Sequence, residues 1–156
     1  MQSDNLKKMK DQPLILEQEF NSPIELVWRA ITEKELMEKW YFVIDDFKLE
    51  VGNTFHFEGG NEDRRYTHIC EIIEIIPLQK LKYSWKYKGH IGVSFVTFEL
   101  FPIGKKIKLK LTHEGLDSFP KDNPDLIQEN FVGGWKHLIQ ESLKEFLENG
   151  KALRYW

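Results

Sequence analysis

Cysteine is almost missing from this chain of 156 residues: Cys70 stands alone, so no disulfide can form within it and redox chemistry gives no support for secretion. Long apolar runs are missing as well. No stretch approaches the roughly eighteen apolar residues of a membrane span, and the opening MQSDNLKKMKDQP has no apolar signal-peptide core. The expectation is a cytoplasmic protein without membrane insertion, behind a mobile polar lead-in of residues 1–12. Charge of one sign is also lacking. With 22 basic and 25 acidic residues the formal charge is −3, which offers nucleic acid no electrostatic handle. A CxxC pair, HExxH, a GxSxG elbow and a glycine-rich phosphate loop are all absent, which removes the common metal, acyl-transfer and nucleotide signatures. Accordingly no catalytic residue, metal ligand or cofactor is assigned.

What the chain does have is aromatic side chains: eleven Phe, five Tyr and five Trp. They supply large buried area and also line pockets for apolar or planar molecules. The length suits one domain, placed at residues 13–156.

The longest periodic stretch is NPDLIQENFVGGWKHLIQESLKEFLENG, Asn123 to Gly150. Asn123 suits an N-cap, Pro124 the first helical position and Gly150 the end. Ile127, Phe131, Trp135, Leu138, Ser142 and Phe146 recur at steps of three and four, so one long helix with a buried side is expected. Gly133 and Gly134 break the pattern in mid-helix, each at a cost of about 1 kcal/mol relative to alanine. Close helix-to-sheet contact is the first expectation for them; room for a ligand is the alternative.

Earlier in the chain, LILEQEF (Leu14 to Phe20) reads as a strand, and Ser22 and Glu25, then Thr32 and Glu35, stand at capping-box spacing before two short helices. From Phe47 to His113 the period becomes two. Phe47–Val51 and Thr54–Glu58 alternate around Gly52-Asn53 as a hairpin. In the strand from Arg65 to Ile76, Glu71 and Glu74 can both face water only if a bulge near Ile72 and Ile73 flips the pleat. Lys105, Lys106, Lys108 and Lys110 alternate with apolar residues and read as a solvated sheet face. The fold class is therefore α+β: a curved antiparallel sheet of about seven strands around a long C-terminal helix, with two short helices after the first strand.

Five histidines are scattered along the chain. His56, His90 and His137 fall on surface positions; His68 and His113 share parity with buried neighbours. The plain reading of both is a hydrogen-bonded histidine at a strand end, the alternative a ligand or proton-transfer role. Tyr83, Trp85 and Tyr87 form one aromatic stripe. The tail Lys151-Ala152-Leu153-Arg154-Tyr155-Trp156 is expected to pack back on the domain, with a dimer contact as the alternative.

Taken together, SPIELVWRAITEKELMEKWYF, IPLQKLKYSW, VTFEL, LTHEGL and GWKHLIQESLKEFLE resemble the family of homologues of the activator of heat-shock protein 90 ATPase, within the START-like (SRPBCC) superfamily. The resemblance covers about Leu14 to Glu148. It implies the helix-grip fold and a cavity between helix and sheet that, in the superfamily, takes lipids, sterols, polyketides or other apolar molecules. It brings scaffold positions rather than a catalytic set. The founding eukaryotic co-chaperone has a separate N-terminal domain that engages the chaperone, for which this chain is expected to have no room. Trp40, Phe55, Phe57, His68, Tyr83, Trp85, His113, Phe131 and Trp135 are the expected pocket wall, with Tyr83, His68 and His113 orienting the ligand. The leading expectation is non-catalytic binding of a small hydrophobic molecule by a monomer or homodimer. A chaperone-binding regulator is a second expectation, and a cyclase or dehydratase using His68 or His113 with Tyr83 a third.

Overall fold

The computed structural model describes residues 12–60 and 63–152. The expected lead-in, except Gln12, and the tail Leu153 to Trp156 lie outside the described residues. Six strands form one antiparallel sheet: β1 (Leu14–Phe20), β2 (Thr54–Gly60), β3 (Arg65–Ile76), β4 (Lys80–Tyr87), β5 (Ser94–Ile103) and β6 (Lys106–Glu114). Their order is β1-β6-β5-β4-β3-β2, so the first two strands lie at opposite edges. Helices α1 (Ile24–Thr32) and α2 (Lys34–Trp40) lead from one edge to the other. The C-terminal rod comprises α3 (Gln128–Trp135), a π-helical stretch (Lys136–Leu143) and α4 (Lys144–Asn149).

Alternation sorts the two faces of the sheet. In β6, Ile107, Leu109, Leu111 and His113 are buried while the intervening lysines face outward; in β4, Leu81, Tyr83, Trp85 and Tyr87 are buried. Rod residues Trp135, Ile139, Leu143 and Leu147 complete the core. The expected bulge is present, as a register shift between Ile72 and Glu74 where β3 pairs with β4. This is the helix-grip arrangement, with one cover on the concave face.

Four local expectations are corrected. The expected hairpin of Phe47–Val51 with Thr54–Glu58 does not form: Phe47–Val51 joins no ladder, only Asp45 bridges to His56, and the sheet of about seven expected strands has six among the described residues. Leu49 and Val51 are exposed, so the alternation there has no buried layer to face. Neither capping box forms: Pro23 and Glu33 occupy the N-cap positions without side-chain bonds. The hydroxyls bond elsewhere, Ser22 Oγ donating to the Leu147 carbonyl at 3.2 Å and Thr32 Oγ1 to the Trp28 carbonyl at 2.7 Å. Ser22 thereby ties the start of α1 to the end of the rod.

The rod itself begins later than Asn123. Asn123 Oδ1 does accept from the Asp125 N–H at 3.0 Å, but it caps a 3₁₀ turn, Pro124–Leu126. The chain is extended at Ile127 before α3 starts at Gln128. Gly150, at φ 70°, closes the rod as expected. The π-helical stretch answers the spacing of the buried row Trp135, Ile139, Leu143 and Leu147. A four-residue step drifts by roughly 40° per repeat on a 3.6-residue helix, and wider π turns reduce that drift.

The fourth correction concerns the glycines. A Cβ built on Gly133 or Gly134 would meet nothing within 4 Å, so neither is there for close helix-to-sheet contact. Gly133 is exposed. Gly133→Ala should therefore stabilise the protein by about 0.5–1 kcal/mol, the helix-propensity gain with no steric penalty. Urea unfolding checks this, and a lowered midpoint would contradict the open space.

Candidate functional site

Beneath Gly134 the sheet and the rod do not close on each other. A cavity of about 380 Å³ remains, lined by residues of α3, the 3₁₀ turn, β3, β4 and the end of β2. Trp85, Leu126, Phe131, Trp135 and Leu138 give it an apolar floor, Tyr66, His68 and Tyr87 a mixed wall. Phe42, Gly59, Gly60, Arg64, Asp125, Asn130 and Gly134 complete the lining. Strand parity explains the wall: residues 66 and 68 of β3, and 85 and 87 of β4, point to the concave side. Phe131, Gly134 and Leu138 share the underside of the rod at helical spacing.

One side of the cavity carries a polar knot. Asp125 Oδ2 accepts from Tyr66 Oη at 2.6 Å and pairs with Arg64 Nε at 2.8 Å. Asn123 Nδ2 donates to Tyr66 Oη at 3.2 Å, and Asn130 Nδ2 to the Asp125 backbone carbonyl at 2.8 Å. Burial, and then the bond to the Asp125 carboxylate, hold the Tyr66 phenol above its usual range, so it stays a neutral donor. The knot fastens the turn before α3 to the start of β3.

His68 is buried in the wall. Its ring stacks on Phe57 at 4.4 Å and meets Tyr87 and Trp85 edge-on at 4.7 and 4.9 Å. Nδ1 lies 3.1 Å from the Tyr66 carbonyl. Burial pushes its pKa down to about 4, the bonds to the Tyr66 and Phe57 carbonyls opposing only in part. At neutral pH the ring is uncharged and donates Nδ1–H to Tyr66.

His113 is engaged throughout. An indole N–H can only donate, so the 3.0 Å contact makes His113 Nδ1 the acceptor from Trp135 Nε1. Its Nε2 therefore carries the proton and donates to Ser94 Oγ at 2.7 Å; Ser94 donates in turn to the Trp85 carbonyl at 3.1 Å. Burial lowers its pKa to about 3. The chain bolts the rod to β6, β5 and β4 and leaves neither ring nitrogen for chemistry.

Of the nine residues expected to form the wall, His68, Trp85, Phe131 and Trp135 line the cavity, whereas Trp40, Phe55, Phe57, Tyr83 and His113 lie in the core around it. Trp40 Nε1 donates to the Ala30 carbonyl at 2.7 Å, and the Trp40 carbonyl accepts from Ser142 Oγ at 2.7 Å. The Tyr83 hydroxyl shares a 2.8 Å bond with Tyr41. Phe55 fills the space between Phe47 and Tyr83, and Phe57 backs His68. An acid–base pair of either histidine with Tyr83 is not assembled at the cavity. Tyr66 and Tyr87 were readable from their parity with His68 and Trp85. The Arg64–Asp125 pair, joining two loops far apart in sequence, was not. Among the described residues no three His, Cys, Asp or Glu side chains converge to hold a metal, and no helix is long and apolar enough to cross a membrane.

A family model described as Activator of Hsp90 ATPase homolog 1-like protein matches residues 21–148. The human protein "Activator of 90 kDa heat shock protein ATPase homolog 1" is 23% identical over 140 residues, 90% of this chain. The chain spans 38% of the length of that relative. Among solved structures, DynU16 of the dynemicin biosynthetic locus superposes with a TM-score of 0.76 at 19% identity, over 93% of this chain and 50% of that one. Protein CV1439 of Chromobacterium violaceum gives 0.73 at 22% identity, covering 87% and 96%. Protein BH1534 of Bacillus halodurans gives 0.68 at 25% identity, covering 88% and 97%.

Proposed function

Given that this chain belongs to the family of Activator of Hsp90 ATPase homolog 1-like proteins, we propose that it binds a small, mainly apolar molecule in the cavity beneath Gly134. The observation that carries the reading is the cavity itself: about 380 Å³, inside the range of small-molecule sites, with an apolar aromatic floor and a few convergent polar groups at one side. Gly134, which lines the cavity, supports it, because it gives up helix propensity where no packing contact asks for it. The protein acts as a carrier or sensor in the cytoplasm, as a monomer or homodimer.

Titration with the neutral fluorophore N-phenyl-1-naphthylamine tests this. Expected is saturable enhancement at one site per chain, with Kd on the order of micromolar, and displacement by small apolar aromatics. Enhancement that never saturates, or that acid-unfolded protein reproduces, would remove the reading.

A second reading is favoured by the relation to the human ATPase activator: docking on a 90 kDa heat-shock chaperone. Adding this chain to the purified chaperone should then raise its ATP turnover. An unchanged rate at saturating protein would reject it.

A further inference from the structure

Resting on the cavity reading, we propose that the Tyr87 hydroxyl is the cavity's specificity donor, selecting neutral planar ligands that present a hydrogen-bond acceptor to it. Trp85 Nε1 lies 2.8 Å from Tyr87 Oη, and since an indole N–H has no acceptor capacity, Tyr87 is the acceptor in that bond. Tyr87 therefore keeps its own O–H proton. Among the described residues none of its other side-chain contacts takes that proton: they are ring-edge meetings with Tyr66, His68, Trp85 and Phe119. Both partners of the bond, Trp85 and Tyr87, line the cavity, and Tyr87 is only 6% exposed. A guest that accepts this proton gains a bond that a guest of pure hydrocarbon cannot make.

The same surroundings set the guest's charge. The floor is Trp85, Leu126, Phe131, Trp135 and Leu138, His68 is neutral at physiological pH, and the cavity's one lining cation, Arg64, is paired with Asp125. An ionised group placed against Tyr87 would find no countercharge there. Faces and edges of aromatic rings on several sides favour a planar guest over a flexible chain.

The test uses three molecules on one skeleton: fluorene, 9-fluorenone and fluorene-9-carboxylate. Wild-type protein should bind fluorenone roughly five- to twentyfold more tightly than fluorene, with the carboxylate weakest. Tyr87→Phe should bring fluorenone down to the affinity of fluorene, while Tyr66→Phe, which loosens the rim, should preserve the ratio. Should Tyr87→Phe fail to fold, the wild type still decides: the carbonyl stretch of bound fluorenone should lie at lower wavenumber than in hydrocarbon solvent. Equal affinities of fluorene and fluorenone, an unshifted stretch, or tightest binding of the carboxylate would overturn the assignment to Tyr87 and leave the cavity reading in place. Binding of none of the three would overturn both.

Discussion

Acidification should destabilise this protein steeply, with the largest loss of stability between about pH 6 and pH 4. Two histidines carry the effect. His68 and His113 are buried, and burial lowers their pKa values to about 4 and about 3. The native state thus holds both rings neutral, whereas the unfolded chain takes up protons below roughly pH 6.5. The stabilisation these rings provide is present in full above that value and is lost as pH falls towards the folded-state pKa values. Each group then contributes a slope of about 1.4 kcal/mol per pH unit, and together they approach 3 kcal/mol per unit between pH 6 and 4. Over those two units the pair removes about 5 kcal/mol, a large share of the roughly 5–15 kcal/mol of an ordinary domain.

Urea unfolding at half-unit steps from pH 7.5 to 4 checks this. His113→Gln should lower stability at pH 7 by about 2–4 kcal/mol, because the Trp135 N–H and Ser94 Oγ lose their fitted partner. The same variant should halve the slope below pH 6. Wild-type and His113→Gln curves that run parallel across the whole range would show that His113 titrates normally.

The second large effect is expected at Gly134, where binding and stability should come apart. Gly134 lines the cavity, and a Cβ placed on it meets nothing within 4 Å. It sits one turn from both Phe131 and Leu138 on the underside of the rod, so a side chain there projects over the same space. Gly134→Trp should occupy the volume a ligand would take and weaken N-phenyl-1-naphthylamine binding by at least about 30-fold, or roughly 2 kcal/mol. Stability should change by less than about 1 kcal/mol, since the gain in helix propensity of replacing glycine offsets whatever strain the ring meets. In wild type the space around a Cβ at this position is open. Undiminished dye binding by a folded Gly134→Trp protein would place the dye elsewhere and count against the cavity as the site.

These two expectations draw on features of unequal legibility. The parity of His113 with Ile107, Leu109 and Leu111 marked it as inward-facing from the alternation alone. That both its nitrogens are used depends on Trp135, on another element, and on Ser94, on the neighbouring strand. Gly134 announced itself as a local inconsistency in a helical pattern, but its first explanation, close packing, was the wrong one. A missing side chain is compatible with tight contact or with empty space, and only the positions of the facing atoms separate the two. The pocket wall divides in the same way. His68, Trp85, Phe131 and Trp135 reach the cavity, while Trp40, Phe55, Phe57, Tyr83 and His113, equally aromatic or polar and equally inward, are covered by other side chains. Period two fixes which face a residue takes and is silent about what lies across from it.

By itself the sequence determined the element order, the inward and outward faces of β3, β4 and β6, the bulge after Ile72, and the end of the rod at Gly150, because each follows from local stereochemistry and a short-range period. Only the tertiary structure decided that β1 pairs with β6, that Phe47–Val51 stays out of the sheet, that the rod widens into π turns, and that space remains beneath Gly134. Those outcomes depend on which surfaces meet at long sequence separation and on how completely their side chains fill the gap, quantities that no local pattern encodes.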